Sequence, residues 1–221
     1  RVRKLLQGTA SLEFWTTYDN TEVEAYLAEA NATLAELLAD TEEAVVEEAP
    51  ATEGDSLLEA ELQQAENEVA NEAAYRKQNP LFSVLQPSGA RGYACIGYAN
   101  YADTAQVNEY ISMAQARGIF PPEFRAMWSV KPSQAFAGNE NIYELVAIKA
   151  ASRDGKAPLD GGVVTDARVS YGNTGGNPSV SMSMNAEGAN VWARLTKDNI
   201  GKQIAIVLDG MVYSYPTVNT E

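Results

Sequence analysis

Apolar and polar positions alternate unevenly along the chain, and the pattern is plainest near its end. Ile204 to Leu208 has no polar position, and it is closed by Asp209-Gly210 and followed by Val212, Tyr213 and Tyr215. A strand without a polar face is expected to be covered on both sides. Asp-Gly supplies the positive φ angles of a two-residue hairpin turn, and Pro216 ends the second strand where no ladder donor is wanted. Upstream, Val180, Met182 and Met184 alternate with Ser179, Ser181 and Ser183, the period-two pattern of a strand with one buried face. Asn185 is placed to cap a helix that carries Ala189, Trp192, Ala193 and Leu195 inward, and Asn199-Ile200-Gly201 stops it. The block therefore reads strand, helix, strand, strand.

The first part of the chain carries a different period. Arg1 to Gln7 reads as the end of a helix stopped by Gly8, and Leu12 to Trp15 as a strand. Thr21 with Glu24 three residues later is a capping box, and Val23, Leu27, Ala30, Leu34 and Leu37 follow with the spacing of a helical seam. Leu58, Leu62, Ala65 and Val69 form a matching stripe, opened by Ser56 and Glu59. The two stripes predict a helical hairpin over residues 21–78, with an aperiodic, charged tip at 41–55. Because the seam relies on alanine as well as leucine, the hairpin is expected to lie against something else.

After Asn79-Pro80, the pattern predicts strands at Leu81 to Leu85 and Tyr93 to Tyr98. A helix capped by Asp103 or Thr104 should bury Val107, Tyr110, Ile111 and Ala114 and end at Gly118. Two strands follow, Arg125 to Lys131 and Ile142 to Lys149. The middle thus loosely repeats the strand-helix-strand-strand order of the end. The predicted fold class is α+β, built of ferredoxin-like strand-helix-strand-strand units on an antiparallel or mixed sheet, with an inserted acidic helical hairpin.

Charge changes this picture once it is mapped. Between Glu22 and Glu72 there are 16 acidic residues and no Lys or Arg; the other residues carry 16 basic and 14 acidic groups, a net +2. The acidic run reads as a solvated face, and the remainder has no basic stripe for nucleic acid. No run approaches the roughly 18–20 apolar residues of a membrane span, and no signal-peptide pattern is present at Arg1. The chain opens within a helical pattern and stops just after a strand, so it reads as a segment excised from a longer protein, and as a monomer.

Candidate chemistry is thin. Cys95 is the single cysteine, in an apolar setting, and reads as a buried thiol. With no histidine in the chain, imidazole acid-base chemistry and His-ligated zinc are excluded from it. The glycine-rich stretch Gly172 to Pro178 lacks the lysine of a phosphate loop and leads into a strand, which makes it a hairpin loop. Asp160, Asp166 and Asp209 could supply a carboxylate pair, yet each is explained by a turn or strand edge. Lys131 and Ser133 are separated by Pro132, an awkward geometry for a Ser-Lys nucleophile. No catalytic, cofactor-binding or metal-binding residue is expected. The methionine stripe has a second use, since unbranched thioether chains repack around varied peptides at little cost.

Three stretches carry a family resemblance: LLQGTASLEFW at Leu5 to Trp15, LDGGVVTDA at Leu159 to Ala167, and the block from Val180 to Pro216, VSMSMN, GANVWARLTKDNIGK and IAIVLDGMVYSYP. In this order the chain resembles the SecD family, the accessory membrane subunit of bacterial protein export. The acidic insertion and the sequence from Phe120 to Lys149 look most like the SecDF fusions of the Bacteroides group.

The resemblance implies a periplasmic domain, anchored at the bacterial inner membrane by helices absent here. Residues 1–20 would belong to a membrane-proximal base, 21–78 to the insertion, and 79–221 mostly to a mobile head that holds emerging preprotein. Its partners would be unfolded preprotein, a SecYEG-like channel and a SecF-like half, with movement driven by the proton-motive force. The contact surface expected for preprotein is Met182, Met184, Tyr213 and Tyr215. The alternative is an extracytoplasmic hydrolase acting on carbohydrate or peptide, which would need two carboxylates, or Ser and Lys, converging in a pocket.

Overall fold

The computed structural model describes residues 11–42, 68–136, 138–152, 154–170 and 179–220. The helix expected at Arg1 to Gln7, the stripe residues Leu58, Leu62 and Ala65, the tip from residue 43 to 55 and the loop Gly172 to Pro178 lie outside them. The chain forms two compact units, neither of them a continuous stretch. One comprises Arg1–Val23, Ser88–Tyr98 and Glu123–Glu221, the other Glu24–Pro87 and Ala99–Pro122. The architecture is α+β.

The first unit is built around a ring of strands. β1 (Leu12–Thr17) pairs antiparallel with β9 (Ile204–Leu208), which pairs antiparallel with β10 (Met211–Ser214). β10 pairs in parallel with β4 (Phe124–Pro132), β4 antiparallel with β5 (Ile142–Lys149), and β5 returns to β1 at Thr16–Lys149 and Thr17–Ile148. Five strands thus close on themselves as a small barrel. β3 (Cys95–Asn100) lies beyond β5, and the two-residue β6 (Leu159–Asp160) pairs with β1 at Glu13 and Phe14.

Alternation along each strand divides the core in two. Trp15, Val146, Ile148, Ala205, Val207 and Val212 form one buried cluster, with Met127 and Tyr215 packed against it. Phe14, Leu159 and Ile204 form the other, joined by Ile206, Met182, Met184 and Trp192. β9 therefore contributes Ala205 and Val207 to one face and Ile204 and Ile206 to the opposite one, the double cover its sequence requires. The turn after it has φ of 50° at Asp209 and 79° at Gly210, the type I′ geometry expected of Asp-Gly.

Outside the ring, β7 (Val164–Ser170) and β8 (Ser179–Met184) form a separate two-stranded ribbon, followed by α4 (Ala186–Asp198). The order β8-α4-β9-β10 matches the predicted strand-helix-strand-strand block, but the ferredoxin-like pairing is not formed. β8 pairs with β7, while β9 lies between β1 and β10. Burial demand accounts for the difference. An all-apolar strand needs neighbours with apolar residues on both faces, whereas β8, with serine at alternate positions, is satisfied with one covered face. In the middle of the chain the strand order β3-β5-β4 is that of a split β-α-β unit with an added strand.

In the second unit, α1 (Asn20–Glu42) buries Leu27, Ala30 and Leu34 as its seam predicts. Its start corrects the expected capping box: Asp19, whose Oδ1 accepts from the Thr21 N–H at 2.9 Å, caps the helix one residue before it begins. Leu81 to Leu85 is also corrected, because Pro80–Val84 is a short helix, α2. Proline fits the first helical position, and Leu81 and Leu85, four apart, are both fully buried. The unpaired N–H groups of Leu81 and Phe82 are met by Asn31 Oδ1, 3.1 and 3.3 Å away, a partner from α1 that local sequence does not show.

β2 (Gln86–Pro87) follows, and α3 (Thr104–Ala116) buries Val107, Ile111 and Ala114 before Gly118, at φ +74°, ends it. Residues 68–78 are helical and exposed. Val69 is 65% exposed, so at that position the second stripe is not buried.

One glycine is dictated by close approach. A Cβ on Gly188 of α4 would lie 2.6 Å from both Cβ and Cγ2 of Val163. Gly188→Ala is expected to lower stability by about 1–3 kcal/mol through overpacking, read as a shift in urea midpoint at unchanged slope. A neutral substitution would show that α4 is not held this close to Val163.

Candidate functional site

α4 is fixed at both ends by side chains its sequence supplies. Asn185 Oδ1 accepts from the Gly188 N–H at 2.8 Å, and Asn199 Nδ2 donates to the Leu195 carbonyl at 2.8 Å. The inward face consists of Gly188, Val191, Trp192, Leu195 and Thr196, while Ala189, expected inside, is exposed. The correction shifts that face by one position and follows from Gly188, which sets the line of closest approach. Trp192 meets Phe14 edge to face, with ring centroids 5.2 Å apart, a favoured aromatic geometry.

Beside Trp192 runs a groove of about 360 Å³, lined by Thr196, Ile204, Ile206, Pro216 and Val218 among others. The segment after β10 borders it and is held by backbone bonds from Gly201 N–H to the Val218 carbonyl and from Val218 N–H to the Lys202 carbonyl, both 2.8 Å. The lining of the groove combines these apolar residues with threonine and asparagine side chains.

The structure separates the four expected contact residues. Met182 and Met184 are partly buried together with Trp192 and Ile206. Tyr213 is half exposed. Tyr215 packs against the other core cluster, and its hydroxyl donates to Glu144 Oε2. Sequence reasoning passed over the groove itself and Glu144, although a carboxylate in the otherwise apolar run Ile-Tyr-Glu-Leu-Val-Ala-Ile was a visible signal.

Glu144 gathers a polar cluster in the first unit. Its Oε1 accepts from Ser133 Oγ at 2.6 Å, and its N–H donates to Ser129 Oγ at 3.0 Å. Burial, followed by the nearby Glu144 charge, pushes the Cys95 thiol up to about 12. Tyr215 is raised by burial and then by its hydrogen bond to Glu144, which the neutral phenol donates.

The candidates for hydrolysis are engaged elsewhere. Asp160 Oδ1 accepts from Gly162 N–H, Asp209 Oδ1 from Ser11 N–H, and Asp166 pairs with Arg168. The Ser133 hydroxyl is given to Glu144, and Lys131 is exposed. Among the described residues, no group of three or more Cys, Asp or Glu side chains is arranged to hold a metal ion. No described helix is long and apolar enough to cross a membrane.

In the second unit, a cleft of about 750 Å³ lies among Leu38, Arg76, Lys77, Val84, Gln106 and Tyr110.

Comparison with known proteins decides the family. The sequence model of the SecDF P1 head subdomain matches residues 143–221, which include β5 and everything after it. The protein translocase subunit SecD of Rhodothermus marinus is 37% identical over 220 residues, 99% of this chain and 33% of that protein. The chain belongs to the SecD/SecDF family. The protein translocase subunit SecDF of Thermus thermophilus is 43% identical over 60 residues, 27% of this chain and 8% of that protein. A solved structure of a membrane component SecDF that enhances protein export covers 95% of this chain and 80% of its own, at 21% identity and a TM-score of 0.28. That likeness is too loose for an element-by-element comparison. The chain spans about a third of the Rhodothermus SecD. The groove, α4 and all four expected contact residues fall within the part matched to the SecDF head.

Two outcomes follow from the raised proton affinities. Well below pH 9, Cys95 and Tyr215 are almost wholly protonated in both the folded and the unfolded chain. Above their usual values of 9.0 and 10.0, the unfolded chain releases protons that the folded chain keeps, so stability falls as pH rises. Urea midpoints should decline from pH 9 upward. Tyr215→Phe should cost about 1–2 kcal/mol at pH 7 by removing a donor from Glu144, yet decline less steeply above pH 10. Equal slopes would remove Tyr215 from the account. Native Cys95 should also react with iodoacetamide at pH 8 at least about tenfold more slowly than the unfolded thiol, being buried and holding its proton more tightly; comparable rates would contradict its burial.

Proposed function

We propose that this chain is a periplasmic domain of an accessory subunit of the Sec protein translocase, and that it binds emerging preprotein without bond-making chemistry of its own. The observation that carries this reading is the 37% identity to a translocase subunit SecD across 99% of the chain. The head-subdomain match over 143–221 supports it. So does an apolar groove beside repackable methionines, the kind of surface that tolerates varied peptide sequences.

In this reading, residues 1–20 contribute to a membrane-proximal base, and the region after Asn79 mostly forms the head. The acidic hairpin at 21–78 is a solvated insertion. Membrane helices elsewhere in the parent protein anchor the domain at the inner membrane. They couple it to the proton-motive force and place it beside a SecYEG-like channel and a SecF-like half. Met182 and Met184, with Tyr213 and Tyr215 on β10 and just beyond it, are the residues through which preprotein contact is proposed.

Titration of the labelled chain with a denatured, reduced protein is expected to move the amide resonances of β8, α4 or the groove residues, with weak affinity. Met182→Glu should weaken the interaction at least several-fold by placing a charge on the apolar face. An absence of shifts at saturating denatured protein would end this reading.

A further inference from the structure

The ribbon β7–β8 has two strands, and among the described residues no third strand pairs with either outer edge. The two edges differ. β7 carries the exposed Asp166–Arg168 ion pair, and its register slips between Val164 and Asp166, so Thr165 forms an irregularity. A charge pair and a bulge are the devices by which natural sheets block an added strand. From Ser179 to Met184, β8 has no charge and no proline, the extra residue of the register slip lies on β7 and not on β8, and Val180 is 64% exposed. One edge of the ribbon is guarded and the other is open.

Resting on the reading of the chain as a preprotein-binding domain, we infer that the outer edge of β8 is a strand-addition site for an unfolded polypeptide in extended form. The occupant is specified by the row of backbone donors and acceptors, which only an extended chain can match. Its side chains are specified too. Val180, Met182 and Met184 stand on one face of β8 and the serines 181 and 183 on the other. Residues of the added strand lie beside neighbours of the same face. The site therefore takes a proline-free segment of about five or six residues that alternates apolar with small polar side chains, with its apolar side continuing the Met182, Met184 and Trp192 surface. Main-chain pairing supplies affinity that does not depend on sequence, which suits a domain meeting many different chains.

The test uses the full chain with two synthetic ten-residue peptides of alternating valine and threonine, one of them N-methylated at every second residue. A denatured, reduced protein serves as a separate probe. The plain peptide is expected to bind and to slow hydrogen exchange of amides between Val180 and Met184, and N-methylation should weaken binding at least tenfold. Ser181→Lys, which places a guarding charge on the exposed face, should weaken both the plain peptide and the denatured protein while leaving the urea midpoint unchanged.

If the denatured protein binds but β8 amides are unprotected and N-methylation has no effect, strand addition is overturned while preprotein binding stands. If nothing binds, both fail. If β8 amides are protected only as the chain's own concentration rises, the edge pairs with a second copy and the proposal is wrong.

Discussion

Everything in the first unit depends on covering both faces of β9. Ile204, Ala205 and Val207 are almost wholly buried, on opposite sides of the same strand. At roughly 25 cal/mol per Å² of apolar surface, no arrangement that exposed one of these faces would be competitive. The strand must therefore lie between two layers. Closing the ring supplies the inner layer through Trp15, Val146 and Val212. The outer layer is supplied by α4 and the ribbon, brought over Ile204 and Ile206 by Phe14 and Trp192.

A ring of five strands needs its seams held, and two of them are short. β4 and β10 are in register only at Ser129 and Val212, and β1 meets β5 over two residue pairs. Side chains add bonds where the ladder is brief. Thr16 Oγ1 donates to the Lys149 carbonyl at 3.0 Å across the β1–β5 seam. Glu144 on β5 joins Ser133, which follows β4, to Tyr215, which follows β10, while Ser129 accepts from the Glu144 N–H. The half-buried Glu144 side chain is thus explained by ring closure, and the hydroxyl donors of Ser133 and Tyr215 meet its two carboxylate oxygens.

What could be read from the sequence was local or strictly periodic. The Asp209-Gly210 turn, the Asn185 cap, the helical seam of α1 and the strand at Ile142 to Lys149 all follow from chemistry within a few residues. The errors have a common cause in partners far along the chain. Pro80–Val84 resembled a strand because Asn31, which meets its free N–H groups, lies about fifty positions earlier. The β8-α4-β9-β10 order was legible, but strand neighbours were not, since pairing was decided by which faces needed cover. For the candidate surface, Met182 and Met184 were visible as a stripe. The groove beside Trp192 was not, because Pro216 and Val218 are brought to it by bonds to Gly201, Lys202 and Ile204.

The contact between Ser11 and Asp209 joins positions 198 apart in the sequence. A chain made from its amino end must therefore present β1, with Phe14 and Trp15 uncovered, long before the strands that enclose it have been synthesised. Closure of the barrel is necessarily a late event, and its formation rate is governed by the search for a distant partner. A domain proposed to shelter incompletely folded polypeptides passes through such a condition itself each time it is produced.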